Sequence, residues 1–254
     1  MQISYETFWT DYPHLVSLLM PPLQPGDGAS EEEILAAENR LGIRLPPLLR
    51  EFYARTSRRE DINATHNRLI RLDAIEAPVD GRLIFYVENQ GVTDFGIDLS
   101  TEIDDPLLWS RSDALGVEWG ILYDRLSMFL CFMLLEQVCQ GVLPCTGGEG
   151  HGTTATYNSA TAGWEHISAG WIHGAVKCGA AVIFFEPNNE GGRSAIWAGC
   201  TDIEDAKMLE KTLEVGFGEW PFDWIDPETS TALPKSTPTI FERLKGIFRA
   251  KKDK

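Results

Sequence analysis

Ser30 to Tyr53 reads S-E-E-E-I-L-A-A-E-N-R-L-G-I-R-L-P-P-L-L-R-E-F-Y and writes two short amphipathic helices in succession. Ser30 and Glu33 form a capping box, the hydroxyl accepting from a backbone N–H three residues on while the carboxylate reaches back. Ile34, Leu35, Glu38 and Leu41 fall on or beside one helical face. Gly42 permits the left-handed turn that ends the first helix, and Pro46 suits the first turn of the second. Leu48, Leu49, Phe52 and Tyr53 supply the second helix with a buried stripe.

Around this pair, Ile3 to Met20 predicts an opening helix interrupted at Pro13, followed by a turn-rich linker from Pro21 to Gly28. Strand patterns follow at Leu69–Leu72, Leu83–Val87, Val92–Asp98 and Val117–Tyr123. Ser127 to Gln140 is a strongly apolar helix stopped by Gly141 and Pro144. Helices first, strands next and a closing helix predict an α+β fold, with a mostly antiparallel sheet covered on one face.

The glycine-rich stretch Cys145–Gly163 suggests a boundary. The expected partition is residues 1–145 as one domain and 146–254 as a C-terminal α+β extension, or one continuous domain. In the extension, Ala180–Phe185 and Ser194–Cys200 read as a hairpin around the Asn188–Gly192 turn. Capping boxes at Thr201/Glu204 and Thr239/Glu242 open two helices. The last is basic and amphipathic: Ile240, Leu244, Ile247 and Phe248 share a face bordered by Arg243, Lys245, Arg249, Lys251 and Lys252.

The chain has 254 residues, 43% hydrophobic and 24% charged, ordinary for a globular protein. Its longest apolar run, Met128–Leu135, is too short to span a bilayer. Met1–Glu6 lacks the basic and apolar regions of a signal peptide. Five cysteines without a C-x-x-C spacing read as reduced thiols in a cytoplasm. The net charge is −16, and Asp73–Asp124 holds twelve acids against only Arg82 and Arg111. Such a chain repels nucleic acid and anionic membranes and attracts basic partners, although solubility alone also accounts for acidity.

Candidate chemistry is thin. Gly147–Gly152 has no following lysine to make it a phosphate loop and reads as a surface loop. His151, His166 and His173 could meet Cys145 or Cys178 at zinc, but their spacing lacks the close ligand pairs of a typical site. No nucleophile elbow occurs, Asp104-Asp105-Pro106 is foremost a turn, and Glu38 suits a local pairing with Arg40 or a backbone group. No catalytic, metal or cofactor-binding residue is assigned. A binding surface fits better, with Glu88, Asp94, Asp98, Glu102, Asp104 and Asp105 presenting acid around Tyr86, Phe95 and Trp109. A solvated sheet face with core aromatics behind it would show the same alternation.

The cadence I-x-x-x-E-x-x-L-G-x-x-L-P-x-x-L-x-x-F-Y, carried by Ile34, Glu38, Leu41, Gly42, Leu45, Pro46, Leu49, Phe52 and Tyr53, resembles the opening of the SUKH superfamily. Tyr86–Gly91, Phe95–Asp98, Asp105–Trp109 and Leu126–Leu130 are similar to its later segments. Arg55–Asp61 departs from the family, which often places Asn-Gly there. The resemblance implies an α+β fold and an immunity protein, not an enzyme, that occludes a cognate, basic bacterial toxin domain. It also admits a regulatory or scaffold module that binds a host protein. An uncharacterised hydrolase using the Gly147–Gly152 loop is a further alternative. Nucleic acid, membrane and small-molecule partners are not expected.

Overall fold

In the computed structural model the described residues are 1–100, 103–112, 115–143, 145–170, 172–185, 194–201 and 203–213. The Asn188–Gly192 turn and the C-terminal basic helix lie outside them. The chain opens with strand β1 (Gln2–Ile3), then helices α1 (Phe8–Leu19), α2 (Glu31–Leu41), α3 (Pro47–Thr56) and α4 (Glu60–Asn63). Strands β2 (Arg68–Leu69), β3 (Arg82–Val87), β4 (Asp94–Asp98), β5 (Leu108–Ser112) and β6 (Val117–Tyr123) follow. Helix α5 (Leu126–Gln137) runs into a π-helical turn, Val138–Val142. After it come β7 (Cys145–Gly152), α6 (Thr154–Ala160), β8 (Glu165–Ala169), β9 (Ile172–Lys177), β10 (Ala181–Phe185), β11 (Ser194–Cys200) and α7 (Ile203–Leu213).

The result is α+β with two sheets. One is wholly antiparallel in the order β2-β3-β4-β5-β6. The other runs β1-β8-β9-β10-β11-β7, antiparallel except for the β1–β8 pair. Helix α5 stands between them. All its residues are buried, as a helix without a polar face must be. Phe129 packs on Phe85, Tyr86, Phe95 and Tyr123 of the five-stranded sheet, while Phe132 meets Phe184 of the six-stranded one. One core cluster therefore joins residues on both sides of position 145, and a smaller one lies under α6 and α7.

The two helices predicted at Ser30–Tyr53 form as α2 and α3. The Ser30/Glu33 capping box closes in both directions, and Gly42 ends α2 at φ 67°. Glu38, buried, accepts from the Leu45 N–H at 3.0 Å and is flanked by Arg44 and Arg50, fastening the two helices together. Arg40 does not join it; its guanidinium donates instead to the carbonyls of Leu72 and Ile75.

Several stretches depart from a purely local reading: α1 runs unbroken through Pro13, and β2 is confined to Arg68–Leu69. Residues 2–3 are an edge strand rather than helix, because Met1 and its neighbours bond the β8 backbone. Gly147–Gly152 is not a loop but part of β7, held in register by β11. Thr153–Tyr157, strand-like in composition, enters α6 because the Thr153 hydroxyl accepts from the Thr156 N–H and Thr156 reciprocates. The capping bonds outweigh the strand preference of β-branched residues. Where Asn-Gly was absent, Arg55–Asp61 leads into α4, with Arg59 clamped between Asp27 and Asp61.

Candidate functional site

The acidic and aromatic residues expected to form a surface divide by the strand period. Successive residues of β3, β4 and β5 point to opposite faces. Tyr86 and Phe95 turn inward, 1% and 0% exposed, and pack on Phe129. They cannot touch a partner while the core is intact. Glu88 is buried too, its carboxylate accepting from the N–H groups of Gln90 and Val92 in the β3–β4 turn. Burial pushes its carboxyl up. Asp105 is 6% exposed and accepts from the backbone N–H and the hydroxyl of Ser127, at 2.8 and 2.7 Å, closing the N-terminus of α5. Glu102 lies outside the described residues.

Asp94, Asp98, Asp104 and Trp109 remain at the surface. Three of them share the face of the five-stranded sheet turned away from α5. Register places Ile84, Gly96, Trp109 and Ile121 in one cross-strand row. Arg82 pairs with Asp98 on one side of that row and Asp94 with Arg111 on the other. Trp119, from β6, lies over Gly96; a Cβ there would stand 3.0 Å from the indole ring. The missing side chain is what lets the ring settle on the sheet.

This face carries a ladder of cations and indoles that sequence reasoning did not foresee. The Arg82 guanidinium carbon sits 4.0 Å from the Trp109 ring centre and 5.5 Å from that of Trp119. Arg111 lies 5.1 Å from Trp119 on its other flank and bonds Asp94 at 3.1 Å. Arg82 Nε and both indole N–H groups are buried without a hydrogen-bond partner, leaving three donors under-used in one layer. Asp98 accepts from the Ser100 N–H, and the bonds from Ser100 hold its carboxyl below the usual range. Acids stand beside the layer: Asp98 opposite Arg82, Asp94 bonded to Arg111, and exposed Asp80, whose carbonyl accepts from Arg82. Asp104 instead lies against the start of α3, its carbonyl accepting from the Leu48 N–H. Only the alternation of Arg82, Trp109, Arg111 and Trp119 along their strands hinted at it.

Among the described residues no group of three or more His, Cys, Asp or Glu is placed to hold a metal ion. His14 pairs with Glu165, and His166 with Thr161. Cys131, Cys139 and Cys200 are buried. No helix among the described residues is long and apolar enough to cross a membrane.

Neither the curated proteins nor the solved structures contain a match to the chain. The model of the SMI1 / KNR4 family (SUKH-1) matches residues 28–211, from the approach to α2 almost to the end of α7. The match takes in both sheets apart from β1, and with them the Arg–Trp face. On that match, this chain belongs to the SMI1 / KNR4 family (SUKH-1).

Proposed function

We propose that this chain is an immunity protein, acting in the cytoplasm as a stoichiometric inhibitor that covers the surface of a cognate bacterial toxin domain. Membership of the SUKH-1 family supports a protein partner of this class. The observation that carries the reading is the open face of the five-stranded sheet. Trp and Arg dominate the energetic centres of protein interfaces, and surrounding charge sets association rate and choice of partner. Here Arg82, Trp109, Trp119 and Arg111 form such a centre on a rigid sheet, and the acids beside it suit a basic partner. Occlusion needs shape and charge but no catalytic residue.

The test uses a purified toxin domain encoded beside this chain. A one-to-one complex that abolishes toxin activity is expected, with Trp109→Ala and Trp119→Ala each weakening it at least about tenfold. Asp98→Lys should slow association more than it speeds dissociation. Unchanged affinity in the tryptophan variants would sink the assignment of this face. Binding without protection would favour a regulatory module of the same family.

A further inference from the structure

A second concave surface lies away from the Arg–Trp face. It is a groove of about 790 Å³ between the face of α2 that carries Glu33, Ala36, Ala37 and Arg40 and the segment running through α4 and β2. Its volume falls within the range of ligand sites. The floor is apolar and shallow because the side chains are small: Ala29, Ala36, Ala37 and Ala64, with Leu69 and Leu72 below. Helix α2 borders the groove from Glu33 to Arg40, about 10 Å at the helical rise. That length matches about three residues of extended chain.

Cations outnumber acids on the lining, the reverse of the chain as a whole: five arginines stand against Glu33, Glu60 and Asp73. Arg40, Arg58, Arg59, Arg68 and Arg71 all border the groove. Three are neutralised: Arg58 by Glu33, Arg59 by Asp27 and Asp61, and Arg71 by Asp73. The other two have no ion-pair partner among the described residues. Arg40 spends two donors on the carbonyls of Leu72 and Ile75, which bear no formal charge. Arg68 is exposed on β2. A chain of net charge −16 thus keeps two guanidinium groups without an ion-pair partner among the described residues on one groove, with Glu60 also on its lining.

A third feature points to an occupant. Asn63 borders the groove and is 4% exposed, with its Nδ2 donating to the Thr56 carbonyl at 2.6 Å. Its Oδ1 is buried with no hydrogen-bond partner. An unused buried acceptor costs free energy unless something donates to it. A carboxylate cannot donate, but a peptide N–H can.

We propose that the groove binds an extended acidic peptide segment of a partner protein. Its carboxylates pair with Arg40 and Arg68, and its small side chains lie on the alanine floor. One main-chain N–H serves Asn63 Oδ1 once the amide turns toward the groove. This site is separate from the Arg–Trp face and takes the opposite charge, so its fate does not depend on the toxin reading.

The test is an NMR titration of the intact, isotope-labelled chain with the peptide Ac-Glu-Ala-Glu-Ala-Glu-NH2, against Ac-Lys-Ala-Lys-Ala-Lys-NH2 and inorganic phosphate. Saturable shifts at the α2, α4 and β2 amides are expected with the acidic peptide alone. Arg68→Glu should weaken binding by about tenfold or more, the worth of one charge-assisted hydrogen bond. Ala36→Trp, at an exposed helix position, should block the groove while leaving the fold intact, as the unshifted remainder of the spectrum would show. Absence of saturable shifts at those amides, or equal binding of the basic peptide, would overturn the proposal. Phosphate binding as tightly as the peptide would also overturn it, by reducing the groove to a bare anion site.

Discussion

The guanidinium of Arg82 sits over the indole ring of Trp109, its central carbon 4.0 Å from the ring centre, on the sheet face opposite the core. Arg82 also donates to the Asp80 carbonyl and faces Asp98 across the β3–β4 pair. Stacking between a cation and an indole at a half-exposed site is worth about 0.5–1 kcal/mol. A double-mutant cycle of Arg82→Ala and Trp109→Ala, read by urea unfolding, should return a coupling of that size. Additive single effects would mean that the pair is adjacent without being coupled.

Asp105 works at a distance of 22 residues as the cap of α5, through Ser127. Asp105→Ala should cost about 1 kcal/mol by leaving the Ser127 N–H unmatched. Asp105→Asn keeps an acceptor and should cost less. Burial raises the Asp105 carboxyl more than the Ser127 bonds and Arg125 lower it. The folded chain therefore favours the protonated form. That contribution is fully present below the ordinary aspartate range and is lost as pH rises through the raised value. Melting temperatures taken between pH about 7 and about 4 should show the wild type gaining on Asp105→Asn as pH falls; a constant gap would refute it.

Gln137 ties the end of α5 to the segment before β2 and to β3. Its Nε2 donates to the Tyr86 hydroxyl at 2.9 Å and to the Asn67 carbonyl, and its Oε1 accepts from Thr65 and the His66 N–H. Asn67 in turn donates to buried Glu136. Gln137→Leu keeps the volume and strands several buried polar groups, at a cost of about 2–4 kcal/mol. Chemical denaturation checks this directly, and a loss under about 1 kcal/mol would show that water replaces the side chain.

Glu38 is the fastener of α2 to α3. Glu38→Ala leaves the buried Leu45 N–H without an acceptor and should cost about 1–3 kcal/mol. Glu38→Gln retains that acceptor while giving up the charge facing Arg44 and Arg50. It should be the milder change, and more so in high salt. Unfolding curves of the two variants at low and high salt test the ordering.

How much could be read beforehand follows the range of the forces involved. The Ser30/Glu33 box, the Gly42 stop and the β6 and β11 strands were legible because each depends on neighbours within a few residues. Period-two alternation also implied that some aromatics of β3–β5 would face inward. It could not say which, since bulges after Ile84 and around Ser110 shift the register. Gly147–Gly152 has almost no side chains with which to announce a strand; only β11 beside it makes one. Asp105 looked like half of a solvated turn because its partner, Ser127, lies beyond two strands.

By itself the sequence determined an α+β chain with paired amphipathic helices near its start and a strongly apolar helix at its middle, because capping, turns and periodicity are local interactions. The tertiary structure decided that this apolar helix is shared by two sheets, with residues 2–3 bonded to a strand 166 positions later in the chain. It also decided that Arg82, Trp109, Arg111 and Trp119 stack on one face while Arg40 and Arg68 border a separate groove. Those assemblies depend on strand register and helix packing, which fix the spacing of residues far apart in sequence and leave no trace in any short window of it.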